Sequence, residues 1–145
     1  MTVLNKIILK DIMVKDPRYI EINETLSKAW DMFRAFDIRH LPVVDSKKIL
    51  KGIITERDLF RIASPRKADD GEYVYYNRSE LDNYILAQMM TKDVYSLHQD
   101  DSLGKAIDLM MSHKYGCIPV VDDKKRLQGI ITLIDVLKAV REYFV

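Results

Sequence analysis

The stretch PVVDSKKILKGIITERD (42–58) returns 77 residues later as PVVDDKKRLQGIITLID (119–135). The alignment extends outward without a gap: over positions 13–58, 19 of 46 residues match the residue 77 further on. Its landmarks include Met13/Met90, Asp16/Asp93, Leu26/Leu103, Ala29/Ala106 and Asp58/Asp135. Two copies at so long a period are unlike a solenoid, in which short repeats stack in series. The pattern predicts a duplicated unit whose halves pack on each other around a pseudo-two-fold axis.

Within each copy the order reads β-α-β-β-α, an α/β architecture of the α+β type in which helices cover one face of a sheet. The first strand is expected at 18–22 and 95–99. Thr25 and Ser102 then have the character of helix N-caps, whose hydroxyls accept a bond from a free backbone N–H. Glu24 and Asp101 suit the positive end of the helix dipole. Leu26, Ala29, Trp30 and Phe33 follow at helical spacing, as do Leu103, Ala106, Ile107 and Met110. LPVV (41–44) and IPVV (118–121) read as buried strands from their Val content. The polar turns DSKK and DDKK lead to strands ending at Thr55 and Thr132, where the last helix of each copy begins. The division expected is 1–65 for the first unit with its N-terminal segment, 66–84 for a linker loop and the start of a helix, and 85–145 for the second unit. In the linker, Pro65, Asp69, Asp70 and Gly71 mark a loop. Ser79 is expected to cap a helix running through Leu81, Tyr84, Ile85 and Met89, and residues 4–12 to play the matching part for the first unit.

The 145 residues are 48% apolar and 31% charged, enough for a core. Lys and Arg number 23 against 22 Asp and Glu, a formal charge of +1. That balance argues against a protein driven by long-range attraction to nucleic acid or to an anionic membrane. A single Cys excludes an intrachain disulfide framework and fits a reducing compartment. No apolar run approaches the roughly 20 residues of a membrane span. The first residues, MTVLNKIILKDIMVKD, lack a signal-peptide core. A soluble, cytoplasmic protein is the expectation.

The chemistry concentrates in G-h-h-T-x-x-D, present as GIITERD (52–58) and GIITLID (129–135). A strand ends at a Thr that starts a helix. The hydroxyl and the free N–H groups of that helix end can hold an anion. An Asp three residues on lies one turn in, where a carboxylate can accept hydrogen bonds from the vicinal diol of a ribose. Together they suit a nucleotide. The same residues also suit a plain capping arrangement, Thr as N-cap and Asp in the first turn.

With these motifs go D-I-M-x-x-D-P (11–17), M-M-T-K-D-V (89–94), I-R-H-L-P-V-V-D (38–45) and Y-G-C-I-P-V-V-D (115–122). The full set, in order and twice, resembles a pair of CBS domains, the tandem called a Bateman module. The resemblance covers roughly 8–65 and 85–143. It implies units packed sheet to sheet, with two clefts that bind adenosine-containing ligands such as AMP, ADP, ATP or S-adenosylmethionine. It also implies regulation of an effector protein, no catalysis and no catalytic cofactor, and pairing into a homodimer.

Carried over by residue, the resemblance implies one cleft bordered by Asp16, Pro17 and Arg18. Ile38, Arg39 and His40 stand beside the adenine there, Pro42 behind them, and Thr132 and Asp135 take phosphate and ribose. The other cleft takes Asp93, Val94 and Tyr95, Tyr115, Gly116 and Cys117 before Pro119, and Thr55 and Asp58. A Pro keeps the residue before it extended, so backbone groups there are expected to read the adenine edge. Arg39, with its planar donor fork, is expected to give the first cleft a preference for a phosphorylated ligand. Arg57 is the cation that the second cleft can recruit.

The alternative is an interaction module with vestigial clefts that docks a partner protein. A metal site is not expected: His40, His98, His113 and Cys117 lack ligand spacing. Cys117 has no sign of a base beside it and reads as a small buried thiol. Tyr73, Tyr75 and Tyr76, in the Tyr-rich segment 72–78, alternate as in a strand and are expected to pack over the core. The Lys pairs of the two turns read as solvated charges, and the amphipathic C-terminal run LIDVLKAVREYFV as a helix closing its own core or a homodimer.

Overall fold

A computed structural model of the chain describes residues 2–63, 66–74 and 81–145. The elements follow in the order β1 (Val14–Lys15), β2 (Ile20–Glu21), α1 (Leu26–Phe36), β3 (His40–Val44), β4 (Leu50–Thr55), α2 (Glu56–Ala63), β5 (Arg66–Lys67), β6 (Tyr73–Val74), α3 (Leu86–Met89), β7 (Leu97–His98), α4 (Leu103–His113), β8 (Cys117–Val121), β9 (Leu127–Thr132) and α5 (Leu133–Phe144). Both copies thus carry the expected β-α-β-β-α order, though their first strands are cut to two residues each.

Local chemistry explains the helices. Thr25 and Ser102 accept from the amides of Lys28 at 3.2 Å and Lys105 at 3.1 Å. Lys28 and Lys105 reach back to Glu24 and Asp101, at 2.8 and 3.0 Å. Such exposed pairs add only a few tenths of a kcal/mol, so the buried face holds the helix. Leu26 and Leu103 have no exposed surface, and truncating either to Ala would cost about 2–5 kcal/mol. α1 and α4 end alike, on Asp37 (φ 49°) and Lys114 (φ 57°) in the left-handed region. Among the described residues, the six non-glycine positions with positive φ form repeat pairs: Asp16/Asp93, Asp37/Lys114 and Lys48/Lys125.

The chain divides by contact into two compact units, each drawing on both copies of the repeat. Unit 1 is Met1–Arg18, Lys47–Leu50 and Val94–Val145; unit 2 is Tyr19–Ser46 and Lys51–Asp93. The segment preceding each copy has therefore joined the other copy. Ile8 bridges Ser102, and their repeat equivalents Ile85 and Thr25 bridge each other in turn. β1 pairs antiparallel with β9, Val14 opposite Ile130, and its counterpart Thr91 bridges Ile53.

Glycine makes this exchange possible. A Cβ at Gly52 would stand 2.5 Å from the Thr91 carbonyl oxygen and 2.8 Å from the Met90 sulfur. A Cβ at Gly129 would stand 2.8 Å from the Val14 oxygen and 2.7 Å from the Met13 sulfur. The Gly of GIIT and the Met of the preceding segment are thus one contact, made once in each unit.

The sheet of unit 1 runs β1-β9-β8-β7 and that of unit 2 runs β2-β3-β4. β7 lies parallel to β8, with Leu97 opposite Val120, as β2 lies parallel to β3, with Ile20 opposite Val43. Each unit has its own core. That of unit 2 is built on Leu26, Phe33, Leu41, Ile54, Leu59 and Leu86, and that of unit 1 on Leu9, Leu97, Leu103, Ile118, Ile131 and Val136.

The linker also corrects an expectation. The continuous helix through Leu81, Tyr84, Ile85 and Met89 is not formed: Leu81 and Tyr84 close a turn, and α3 starts only after an extended Ile85. The reason is the bridge to Thr25, which needs Ile85 extended. Residues 4–12 match this piece in kind, as short 3-10 turns at Val3–Asn5 and Leu9–Asp11. Tyr73 lies in β6, which pairs with β5. Ser79, Pro65, Tyr75 and Tyr76 lie outside the described residues.

Candidate functional site

The helix starts at Thr55 and Thr132 have nearly the same geometry. The Thr55 amide donates to Oδ2 of Asp58 at 2.9 Å and the Asp58 amide to the Thr55 hydroxyl at 3.2 Å. The Thr132 amide donates to Oδ2 of Asp135 at 2.8 Å, and the Asp135 amide to the Thr132 hydroxyl at 3.2 Å. The Thr132 hydroxyl also donates to that carboxylate, at 2.8 Å. These are reciprocal capping boxes with Asp in place of the usual Glu. The capping arrangement foreseen in the sequence is therefore real, and any ligand role is added to it. All four residues are half-buried, within reach of solvent.

A second tie fixes what stands beside each cap. The Glu56 amide donates to the carbonyl of Arg39 at 3.0 Å, and the Leu133 amide to that of Gly116 at 3.1 Å. The turn before β3 is thereby held on the first turn of α2, and the turn before β8 on that of α5. Unit 2 so brings together Arg39, His40, Thr55 and Asp58; unit 1 brings together Gly116, Cys117, Thr132 and Asp135. The sequence pattern sets Arg39 and His40 with Thr132 and Asp135, and Gly116 and Cys117 with Thr55 and Asp58; within each unit, each turn is also tied to the cap of its own copy. The carbonyls of Arg39 and Gly116 each accept a helix amide.

The electrostatics of the two groups differ. Burial, then the charge of Arg39, hold the His40 imidazole below its ordinary range, against the upward pull of Asp58. The Cys117 thiol is pushed up to about 12, by burial and by the negative charge of Asp135. It is a buried, neutral thiol, unsuited to nucleophilic work. Among the described residues no group of three His, Cys, Asp or Glu side chains is placed to hold a metal.

The remaining expected residues fall as follows. Asp16, Pro17, Arg18, Val94, Tyr95, Tyr115 and Pro119 belong to unit 1, and Ile38, Pro42, Arg57 and Asp93 to unit 2. Asp16 and Asp93 take φ of 47° and 54°, and the Asp16 amide donates to Gln128 at 3.4 Å. Pro17 is buried and Arg18 and Arg57 are exposed. Pro119 sits within the ladder, opposite Ile130. Tyr95 stacks on His113 with centroids 4.5 Å apart, and His113 on Tyr115 at 5.3 Å. That three-ring stack has no signature in the sequence, where His113 is only the end of a helix.

Comparison with known proteins agrees with the repeat. The CBS domain family matches at 9–64 and 86–142. A CBS domain-containing protein of Dictyostelium discoideum is 32% identical over 136 residues, 91% of this chain and 90% of its own. Inosine-5'-monophosphate dehydrogenase of Methanocaldococcus jannaschii is 33% identical over 128 residues, 88% of this chain; the chain spans only 22% of that enzyme's length. A solved structure from Vibrio cholerae is 31% identical with a TM-score of 0.77, covering 97% of this chain and 95% of its own. The CBS domain pair of MJ0100, solved with 5'-methylthioadenosine and S-adenosyl-L-methionine, is 26% identical with a TM-score of 0.76, covering 93% and 96%. Among the described residues no helix is long and apolar enough to cross a membrane.

Proposed function

The chain belongs to the CBS domain family, and from that premise we propose that it is a ligand-sensing regulatory module for adenosine-containing molecules. The observation that carries the reading is the doubled Thr–Asp helix start, each tied to the turn in front of its own central strand. The printed ligands of the MJ0100 domain pair, two adenosine derivatives, support the same class. The candidates are AMP, ADP, ATP and S-adenosylmethionine. The cap bonds engage Oδ2 of Asp58 and Asp135, and we assign Oδ1 of each to the ribose hydroxyls. The hydroxyls of Thr55 and Thr132 and the amides of the first turn are assigned to the 5' substituent. Asp16, Arg18, Asp93, Val94, Tyr95 and the residues around Pro42 and Pro119 complete the proposed binding set. The enzymes among the relatives are matched over a small part of their length, so their chemistry is not transferred. The module acts on an effector protein, and two copies associate. Sensing follows only if the ligand prefers one of two states of the module or its assembly.

Arg39 and His40 beside Asp58 make the unit 2 group the one for a phosphorylated ligand. Gly116 and Cys117 leave the unit 1 group without that charge, suited to an adenosine with a neutral or zwitterionic 5' substituent.

Calorimetric titration of nucleotide-stripped protein with AMP, ATP and S-adenosylmethionine tests this. Micromolar binding is expected, with Asp58→Ala abolishing the phosphorylated ligand and Asp135→Ala the other. Arg39→Ala should weaken AMP and ATP by roughly tenfold to a hundredfold, the value of one or two charge-assisted bonds, and leave S-adenosylmethionine unchanged. No heat and no thermal shift with any of the three would end the sensing reading in favour of a partner-docking module.

A further inference from the structure

Each copy of the repeat carries a Lys pair in its hairpin turn, Lys47–Lys48 in the first and Lys124–Lys125 in the second. Taken singly, these are solvated turn charges. The fold sets them side by side. Lys47–Leu50 belongs to unit 1, together with the turn of the second copy. There the Leu50 amide donates to the Lys125 carbonyl at 2.9 Å and the Leu127 amide to the Lys48 carbonyl at 3.0 Å. Ile49 bridges Arg126 between those two bonds. Ile49 and Arg126 are themselves repeat equivalents, so the local two-fold relation passes through their bridge and doubles whatever charge the turn carries.

Lys47, Lys48, Lys124, Lys125 and Arg126 stand against Asp122 and Asp123, a local charge of +3 where the whole chain carries +1. The neighbouring Asp45 and Lys51 pair with each other at 3.9 Å and leave that balance unchanged. Both carboxylates of the second turn have partners other than the Lys ammonium groups. Asp122 accepts the amides of Lys124 and Arg126, each at 2.9 Å, and Nε of Arg126 at 2.8 Å. Asp123 lies 3.2 Å from Nε2 of His98. Lys48 and Lys125 take φ of 67° and 62°. That left-handed region favours Gly or Asn, so the turn geometry does not account for a long cation at either place. Lys47, Lys124, Lys125 and Arg126 are exposed, and neither 45–48 nor 122–126 contains an aromatic or aliphatic residue.

We propose that these paired turns form a docking surface for an acidic segment of the effector protein, a run of Asp and Glu carboxylates that spans both Lys pairs. Lys carries a compact charge on a flexible stem and meets a carboxylate without the fixed geometry that an Arg fork demands. The one guanidinium of the patch, Arg126, is already turned onto Asp122. A single-stranded nucleic acid wants aromatic side chains on which to stack its bases, and a membrane surface wants apolar ones to enter it; the turns hold neither. Complementary charge of this kind speeds encounter and selects the partner more than it adds affinity, which suits a contact made and broken as a sensor changes state. The inference rests on the effector proposed above and names the chemistry of its contact.

Fluorescence anisotropy of a labelled peptide of Glu and Ser residues, titrated with the full chain at low and at high salt, tests it. Submillimolar binding is expected at low salt, weakening by about tenfold or more at high salt as the exposed charges are screened. Lys47→Gln/Lys48→Gln and Lys124→Gln/Lys125→Gln should each weaken it by about threefold to tenfold, and the variant carrying all four changes should abolish it. Lys10→Gln/Lys138→Gln, which removes two exposed cations elsewhere in unit 1, should leave it unchanged. Thermal melts of each variant verify folding, and titrations with AMP and S-adenosylmethionine on the same samples read ligand binding apart from docking. Peptide binding that is absent, that ignores either Lys pair, or that falls as far in Lys10→Gln/Lys138→Gln would overturn the paired surface while the sensing reading stands or falls on its own titrations. Tighter binding of a uridine oligonucleotide or of phosphatidylserine vesicles than of the peptide, with the same dependence on the four Lys, would overturn the acidic protein segment in favour of that polyanion.

Discussion

Arg39 and His40 in unit 2 stand where unit 1 has Gly116 and Cys117, beside caps built from the same Thr and Asp. Thirteen and twelve positions back from Gly52 and Gly129 the chemistry differs; at the glycines and their Met partners it does not. The difference separates two kinds of constraint. What keeps the copies alike is geometric: a strand crossing over a missing Cβ, a helix cap, a left-handed turn. What sets them apart is charge at the turn before the central strand, where an exposed Arg39 and a half-buried His40 correspond to a half-buried Gly116 and a buried Cys117 in the other copy.

The sharpest way to break this symmetry is at the glycines. Gly52→Ala and Gly129→Ala each drive a Cβ against a backbone oxygen of the crossing segment, at 2.5 and 2.8 Å. A backbone atom cannot swing aside as a side chain does. Overpacking of this kind costs about 1–3 kcal/mol, and the Gly52 change should lie at the higher end. Urea unfolding of the two variants beside wild type measures it. Equal, negligible losses would mean that the crossing segments are not seated as described.

The caps come next. Replacing Asp58 or Asp135 by Asn retains an acceptor for the amide of Thr55 or Thr132 and removes the charge that favours a helix start. Replacing either by Ala removes both, and about 1 kcal/mol is expected from the loss of one half of a capping box. The two Ala variants should destabilise alike while differing in which ligand they lose. Identical loss of every ligand in both would contradict the division into a phosphate-bearing and a phosphate-free group.

Much of this was legible in the sequence because the repeat is written in residue identity. The order of elements, the Thr25 and Ser102 caps and the two Thr–Asp starts follow from short-range chemistry that hydroxyl, carboxylate and Val content reveal. The exchange of segments was not legible. Nothing in a linear pattern says whether Met13 lies over Gly52 or Gly129, because both pairs satisfy the same contact. The helix expected through Tyr84 and Ile85 failed for the same reason: its periodicity is local, but the bridge to Thr25 is not.

The smallest expected effect concerns protons. His40 is held below its ordinary value of 6.5 in the folded chain by burial and by Arg39. Between the folded value and 6.5 the unfolded chain binds more protons than the folded one, so stability rises with pH through that window. It is lost progressively as pH falls below about 6.5, and the contribution is constant once both states are protonated. His40→Gln should flatten that part of the stability profile. Cys117, its counterpart, sits near 12 and has nothing to titrate there, so Cys117→Ala should shift the curve without changing its slope in that window. The same burial should leave the wild-type thiol unlabelled by a thiol reagent until the chain unfolds. Thermal melts in a pH series for the wild type and the two variants read the slopes directly. A profile that stays as steep in His40→Gln as in wild type would place the responsible proton elsewhere, and with it the claim that charge at this turn is what distinguishes the copies.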